Sequence, residues 1–137
     1  MLIPRVLEMS IQHLNDLPDG IGLVGEVRRL NDAGVEIPWL WGLSAGPEDP
    51  MSLDQVTLMF GVHNGDGALQ WLTGHHTFVP VDGVNPEWST HYLGGMYDTP
   101  MPPFSTVPVA TVYAALNEFL QTGSRPTCVA WKEAASL

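Results

Sequence analysis

Two β-prone runs joined by a tight polar turn constrain this chain more than any other feature. Residues 56–62 read Val-Thr-Leu-Met-Phe-Gly-Val, and residues 68–72 read Ala-Leu-Gln-Trp-Leu. Between them stand Asn64-Gly65-Asp66-Gly67. Asn-Gly and Asp-Gly supply the backbone freedom that a short hairpin connection needs, so the two runs should pair antiparallel. Thr77-Phe78-Val79-Pro80-Val81 and Trp88-Ser89-Thr90-His91-Tyr92-Leu93 read as further strands, punctuated by Asp82-Gly83 and Gly94-Gly95. The middle of the chain is therefore expected to be an antiparallel β-meander.

Helical periodicity is clearest after Pro108. Val109, Val112, Tyr113, Leu116, Phe119 and Leu120 fall on one face of a helix. Pro108 suits a helix start and Gly123 a helix end. Residues 126–131 (Pro-Thr-Cys-Val-Ala-Trp) then read as a last strand. Nearer the N-terminus, Ile21, Val24, Val27 and Leu30 recur every third residue and Gly34 follows, which predicts a helix over 21–32. Leu2, Ile3, Val6, Leu7, Met9 and Ile11 fit a half-buried strand or a helix, and Pro18-Asp19-Gly20 is a turn signal. Residues 36–52 look irregular, with Pro100, Pro102 and Pro103 forming a rigid connection. These elements predict one α+β domain over residues 1–137. Its antiparallel β-meander sheet should carry an N-terminal helix and a C-terminal helix packed on one face.

Charge narrows the function. The 137 residues include 15 Asp and Glu against 5 Lys and Arg, a net charge of −10. Five scattered cations cannot build a groove for phosphate backbones or a patch for anionic lipid, so neither nucleic acid nor membrane is an expected partner. One cysteine, Cys128, cannot close an internal disulfide. No leader-like or bilayer-length apolar segment is present, and a cytoplasmic location is expected.

Catalytic and metal signals are weak. His63, His91 and one of His75 and His76 could supply a zinc site, although neighbours on a strand point to opposite faces and neither HExxH nor CxxC occurs. Cys128 reads as a buried strand residue rather than a nucleophile. Gly20, Gly22 and Gly25 match dinucleotide-loop spacing, but no clear strand precedes them and no βαβ unit is evident. No catalytic residue, metal or cofactor is expected. What remains is an acidic surface carrying aromatics, which suits an inhibitor of a basic protein. Complementary charge speeds encounter and aromatics anchor the contact.

The last third carries a resemblance. Tyr97-Asp98-Thr99-Pro100-Met101-Pro102-Pro103 leads through Val107-Pro108 into the helix, and the segment closes on Thr122-Gly123-Ser124-Arg125-Pro126-Thr127-Cys128-Val129-Ala130-Trp131. Upstream stand Gly67-Ala68-Leu69-Gln70-Trp71 and Tyr92-Leu93-Gly94-Gly95. This order resembles the immunity proteins of bacterial polymorphic toxin systems, in the family numbered first in that series. Asp98 stands where the family pattern has Glu. The resemblance implies a non-enzymatic antitoxin that binds and occludes the active site or substrate groove of a cognate toxin domain. That toxin is expected to be a basic nucleic-acid deaminase acting on DNA cytosine. The expected toxin-binding residues are Trp39, Trp41, Glu48, Asp49, Asp66, Asp82, Glu87, Trp88, Tyr97 and Asp98. A small acidic adaptor module and a histidine-based metalloenzyme are the alternatives.

Overall fold

A computed structural model describes residues 5–18 and 20–134. Leu2 and Ile3 of the first apolar run, and Asp19 of the first turn, lie outside the described residues. The chain runs α1 (Arg5–Glu8), β1 (Ile11–His13), a 3-10 turn (Leu14–Asp16), α2 (Leu23–Asp32), β2 (Trp39–Ala45), β3 (Val56–His63) and β4 (Asp66–Thr73). It continues with β5 (His76–Pro80), β6 (Ser89–Leu93), β7 (Tyr97–Met101), β8 (Thr106–Pro108), α3 (Val109–Thr122) and β9 (Trp131–Glu133).

The central hairpin forms where the sequence places it. β3 and β4 pair antiparallel from Val56↔Thr73 to His63↔Asp66, leaving Asn64 and Gly65 as the loop. Asn64 takes a positive φ of 60°, a conformation that asparagine tolerates better than most residues. The helix over 109–122 also stands as expected, with Pro108 preceding it and Gly123 closing it at φ 66°.

The sheet is mixed, which corrects the expected meander. Its order is β7-β6-β2-β3-β4-β5-β9, with β1 on β2 and β8 on β4. β2 pairs parallel with both β1 and β6. After β5 the chain therefore crosses to the far side of β2 instead of continuing the meander. Residues 36–52 are not irregular throughout either. Trp39–Ala45 form a central strand, buried at six of its seven positions. A strand covered on both faces loses the alternation that would announce it. Gly42 interrupts it, and a Cβ there would lie 2.9 Å from the Met59 sulfur and 3.2 Å from Ile11, so both side chains would have to shift to admit one. The proline-rich 97–103 stretch supplies β7, an edge strand on which Pro100 is tolerated.

A short connection forces this sheet to curl. β7 and β8 are five inter-strand steps apart in sheet order, about 24 Å if the sheet were flat. Met101 and Thr106 are separated by only five residue steps, at most about 18 Å of chain. Curling resolves the mismatch and brings Met101 against Leu40, Met59 and Ala68 in a small second core. The main core lies on the opposite face, where Trp41, Phe60, Leu69 and Trp71 meet Val112, Leu116 and Phe119 of α3. Phe119 stands edge-on to Trp71, with ring centroids 5.5 Å apart. α2 contacts both α3 and β3, so both helices share this face, as expected.

Residues 126–130 do not form a strand. The Glu118 carboxylate accepts hydrogen bonds from the backbone amides of Thr127 and Cys128, which diverts them from a ladder. β9 is confined to 131–133 and Cys128 is exposed, correcting the expectation of a buried thiol.

Candidate functional site

The expected binding residues are spread over three strands and two connections. Trp41 is only 2% exposed, stacks on Phe60 and donates its indole N–H to the Leu7 carbonyl at 3.0 Å. It is a core side chain. Trp39 is half-buried, stacked on Trp41 and covered by Gly95. Glu48 and Asp49 sit exposed in the β2–β3 loop, where Asp49 accepts a hydrogen bond from the Met51 amide. Asp82, Glu87 and Trp88 are exposed in the β5–β6 connection, and Tyr97 and Asp98 are exposed on β7.

Strand register separates these residues into two ends. Glu48 and Asp49 precede Val56, whereas Asp66 pairs with His63 at the other end of β3. Seven residue steps along that strand are about 23 Å. Trp39, in register with Val62, belongs to the Asp66 end.

At that end lies a cleft of about 270 Å³, lined among others by Pro38, His63, Asp66, Ser89, His91 and Thr106. Sequence reasoning named Asp66 for partner binding but not Ser89 or His91 for this role. No local signal joins β6 to the β3–β4 turn, because the parallel β2–β6 pairing that brings them together is long-range.

The cleft has mixed polar and apolar walls and is incompletely satisfied. His91 is only 6% exposed and its Nδ1 has no hydrogen-bond partner, nor does the buried Ser89 Oγ. Burial, with His63 adding its charge, pushes the His91 imidazole down to about 4. It is therefore neutral at physiological pH. Asp66 gives the cleft its carboxylate, and among the described residues neither lysine nor arginine lines it.

Other candidate chemistry disperses. His76 sits at the far end of the hairpin, opposite Thr73, with its Nδ1 2.9 Å from Glu133 Oε1. It cannot join His63 and His91 on one zinc ion. Among the described residues no three His, Cys, Asp or Glu side chains are grouped to hold a metal. α2 does cross between two parallel strands, β1 and β2, so a short βαβ unit exists where none was expected. However, Gly20 comes seven residues after the end of β1, too late for a phosphate loop that must follow its strand directly. The Cys128 thiol is pushed up by partial burial and by the neighbouring Glu118 carboxylate, the reverse of an activated nucleophile.

A nine-stranded sheet backed by helices on one face, with a cleft on the other, is a scaffold suited to binding. The model of the immunity protein Imm1 family matches residues 23–133, and the chain belongs to that family. It is thus an immunity protein, a class whose members act on a cognate toxin. No curated protein matches the chain. Among the described residues no helix is long and apolar enough to cross a membrane.

Proposed function

We propose that this immunity protein neutralises a nucleic-acid deaminase toxin, one acting on DNA cytosine, by covering the groove through which the toxin takes its substrate. A toxin that grips nucleic acid must present positive charge to phosphates, and a deaminase must admit a base to its buried centre. The observation that carries the proposal is the net charge of −10 on a chain with only 5 cations. The acidic and aromatic residues offered to the toxin are Trp39, Asp66, Asp82, Glu87, Trp88, Tyr97 and Asp98, with Glu48 and Asp49 reaching it from the opposite end of β3.

Inhibition on this reading is steric and electrostatic, without chemistry on the immunity side and without a cofactor. Binding takes place where the toxin would act, in the cytoplasm of the producing cell. The test is co-expression with the toxin encoded immediately upstream. Cells should survive and their DNA should stay free of cytosine deamination. Equal killing with and without this protein would refute the immunity role. Protection against a toxin of another chemistry would remove only the deaminase assignment.

A further inference from the structure

The cleft at the open end of the curled sheet is assembled from several elements. Its walls come from parts of the chain far apart in sequence: His63 and Asp66 from the β3–β4 hairpin, Ser89 and His91 from β6, and Thr106 from β8. Each wall is fixed independently. Asn31 on α2 pins the hairpin turn through Asn64. The parallel pairing of Trp39 with Tyr92 and Leu40 with Leu93 fixes β6. Asn85 holds β8 by accepting the Thr106 amide at 2.8 Å.

Buried polar groups are nearly always paired, because leaving them unpaired is costly. Ser89 Oγ and His91 Nδ1 are two exceptions in one small site. Its volume of about 270 Å³ lies below the roughly 300–1,000 Å³ of drug-sized pockets, so a single side chain suits it better than a cofactor. Its electrostatics select the sign of that side chain. Asp66 supplies a carboxylate, His91 is neutral, and hydroxyl and imidazole can both accept. The His63 imidazole opposite Asp66 is the remaining titratable group among the lining residues described. The described cations lie elsewhere. Arg28 and Arg29 are on α2, Arg125 follows α3 over the Phe78 ring, and Lys132 sits over the Phe104 ring on β9.

We propose that this cleft is the seat of a cationic side chain, arginine or lysine, presented by the basic partner, with Asp66 as its counter-ion and Ser89 and His91 as hydrogen-bond acceptors. An arginine fork would engage Asp66 through two parallel hydrogen bonds. This deepens the toxin-binding reading and rests on it. It assigns the contact to the helix-free side and to one chemistry.

The test measures the affinity of the full chain for a catalytically inactive form of the upstream-encoded toxin domain. Asp66→Asn should raise Kd about ten-fold, and Asp66→Lys considerably more, since the second variant buries like charges together. Ser89→Ala, which removes one acceptor, should weaken binding by a smaller factor. Asp32→Lys places the same charge change on exposed α2 and should leave Kd within about two-fold. Thermal melts matching wild type exclude misfolding, because Asp66 and Asp32 are both exposed. If Asp66→Lys binds as wild type does, the cleft is not the contact, while the immunity role stands. If the wild-type chain itself fails to bind the toxin, both readings fall.

Discussion

Asn31 of α2 and Asn64 of the β3–β4 turn exchange hydrogen bonds. Asn31 Nδ2 donates to the Asn64 carbonyl at 2.7 Å, and Asn31 Oδ1 accepts from the Asn64 amide at 2.7 Å. The second Nδ2 proton reaches the Tyr113 hydroxyl at 3.1 Å, so this buried amide joins α2, α3 and the hairpin. The Asn64 side chain repeats the pattern with the backbone of Val35, donating to its carbonyl and accepting from its amide, both at 3.0 Å. The turn that positions His63 and Asp66 is therefore fixed by the helical side of the molecule.

Asn31→Ala removes that clamp and leaves the Asn64 amide and carbonyl, part-buried groups, and the Tyr113 hydroxyl without their partner. Its cost should be about 1–3 kcal/mol, since each lost hydrogen bond is worth about 1 kcal/mol and more where water cannot replace it. Urea unfolding measures it. A change below roughly 0.5 kcal/mol, the usual range for surface substitutions, would show that the turn holds itself.

Gly67 sits where α3 crosses the hairpin. A Cβ there would stand 2.5 Å from Val112 Cγ2 and 2.6 Å from the Gly61 carbonyl oxygen. The backbone oxygen cannot swing aside, so Gly67→Ala should destabilise by about 1–3 kcal/mol. Gly65, two residues earlier, has open space around it. Gly65→Ala should leave the melting temperature nearly unchanged. Equal melting temperatures for the two variants would contradict the packing described.

His91 makes stability depend on pH. Its folded-state pKa of about 4 lies below the ordinary 6.5 because burial, then His63, disfavours the charged ring. Between those values the unfolded chain binds the extra proton, so stability is full above pH 6.5 and falls as pH drops toward 4. The difference is about 3 kcal/mol at most. Chemical denaturation from pH 7 to 4.5 should show this loss, and His91→Gln should flatten it. An unchanged slope in that variant would assign the loss to other groups.

Cys128 reports on Glu118. The carboxylate caps the Thr127 and Cys128 amides, is itself held below the usual carboxylate range chiefly by the Thr127 amide, and helps keep the thiol protonated. Glu118→Gln should lower the thiol pKa and speed alkylation at pH 8. A slower or unaltered reaction would deny the electrostatic link.

Local chemistry made part of this fold legible. The Asn64-Gly65 turn, the α3 periodicity and the closing Gly123 each act within a few residues, and each stands where the sequence indicates. β2 was hidden because Trp39–Ala45 is covered on both faces and interrupted by Gly42, over which side chains from two other strands pack. The parallel β6 pairing and the curl arise from the order of strands and the short 101–106 link, which no local window contains. The binding surface was legible as charge and aromatic content. Trp41 was misplaced because an indole beside proline and glycine looks the same whether it caps a core or faces solvent. Ser89 and His91 were missed because their unpaired atoms exist only once β6 lies beside the hairpin.

Complementary charge also sets kinetics. Association with the toxin should slow markedly as ionic strength rises from about 0.05 M to about 0.5 M, where the Debye length shrinks to a few ångströms. A rate independent of salt would remove charge from the explanation.

Competition at the toxin's substrate groove is the most direct measurement. The inactive toxin domain is loaded with fluorescent single-stranded DNA and titrated with this protein. Stoichiometric displacement of the DNA is the expected result. A stable ternary complex, with DNA still held while this protein is bound, would contradict occlusion.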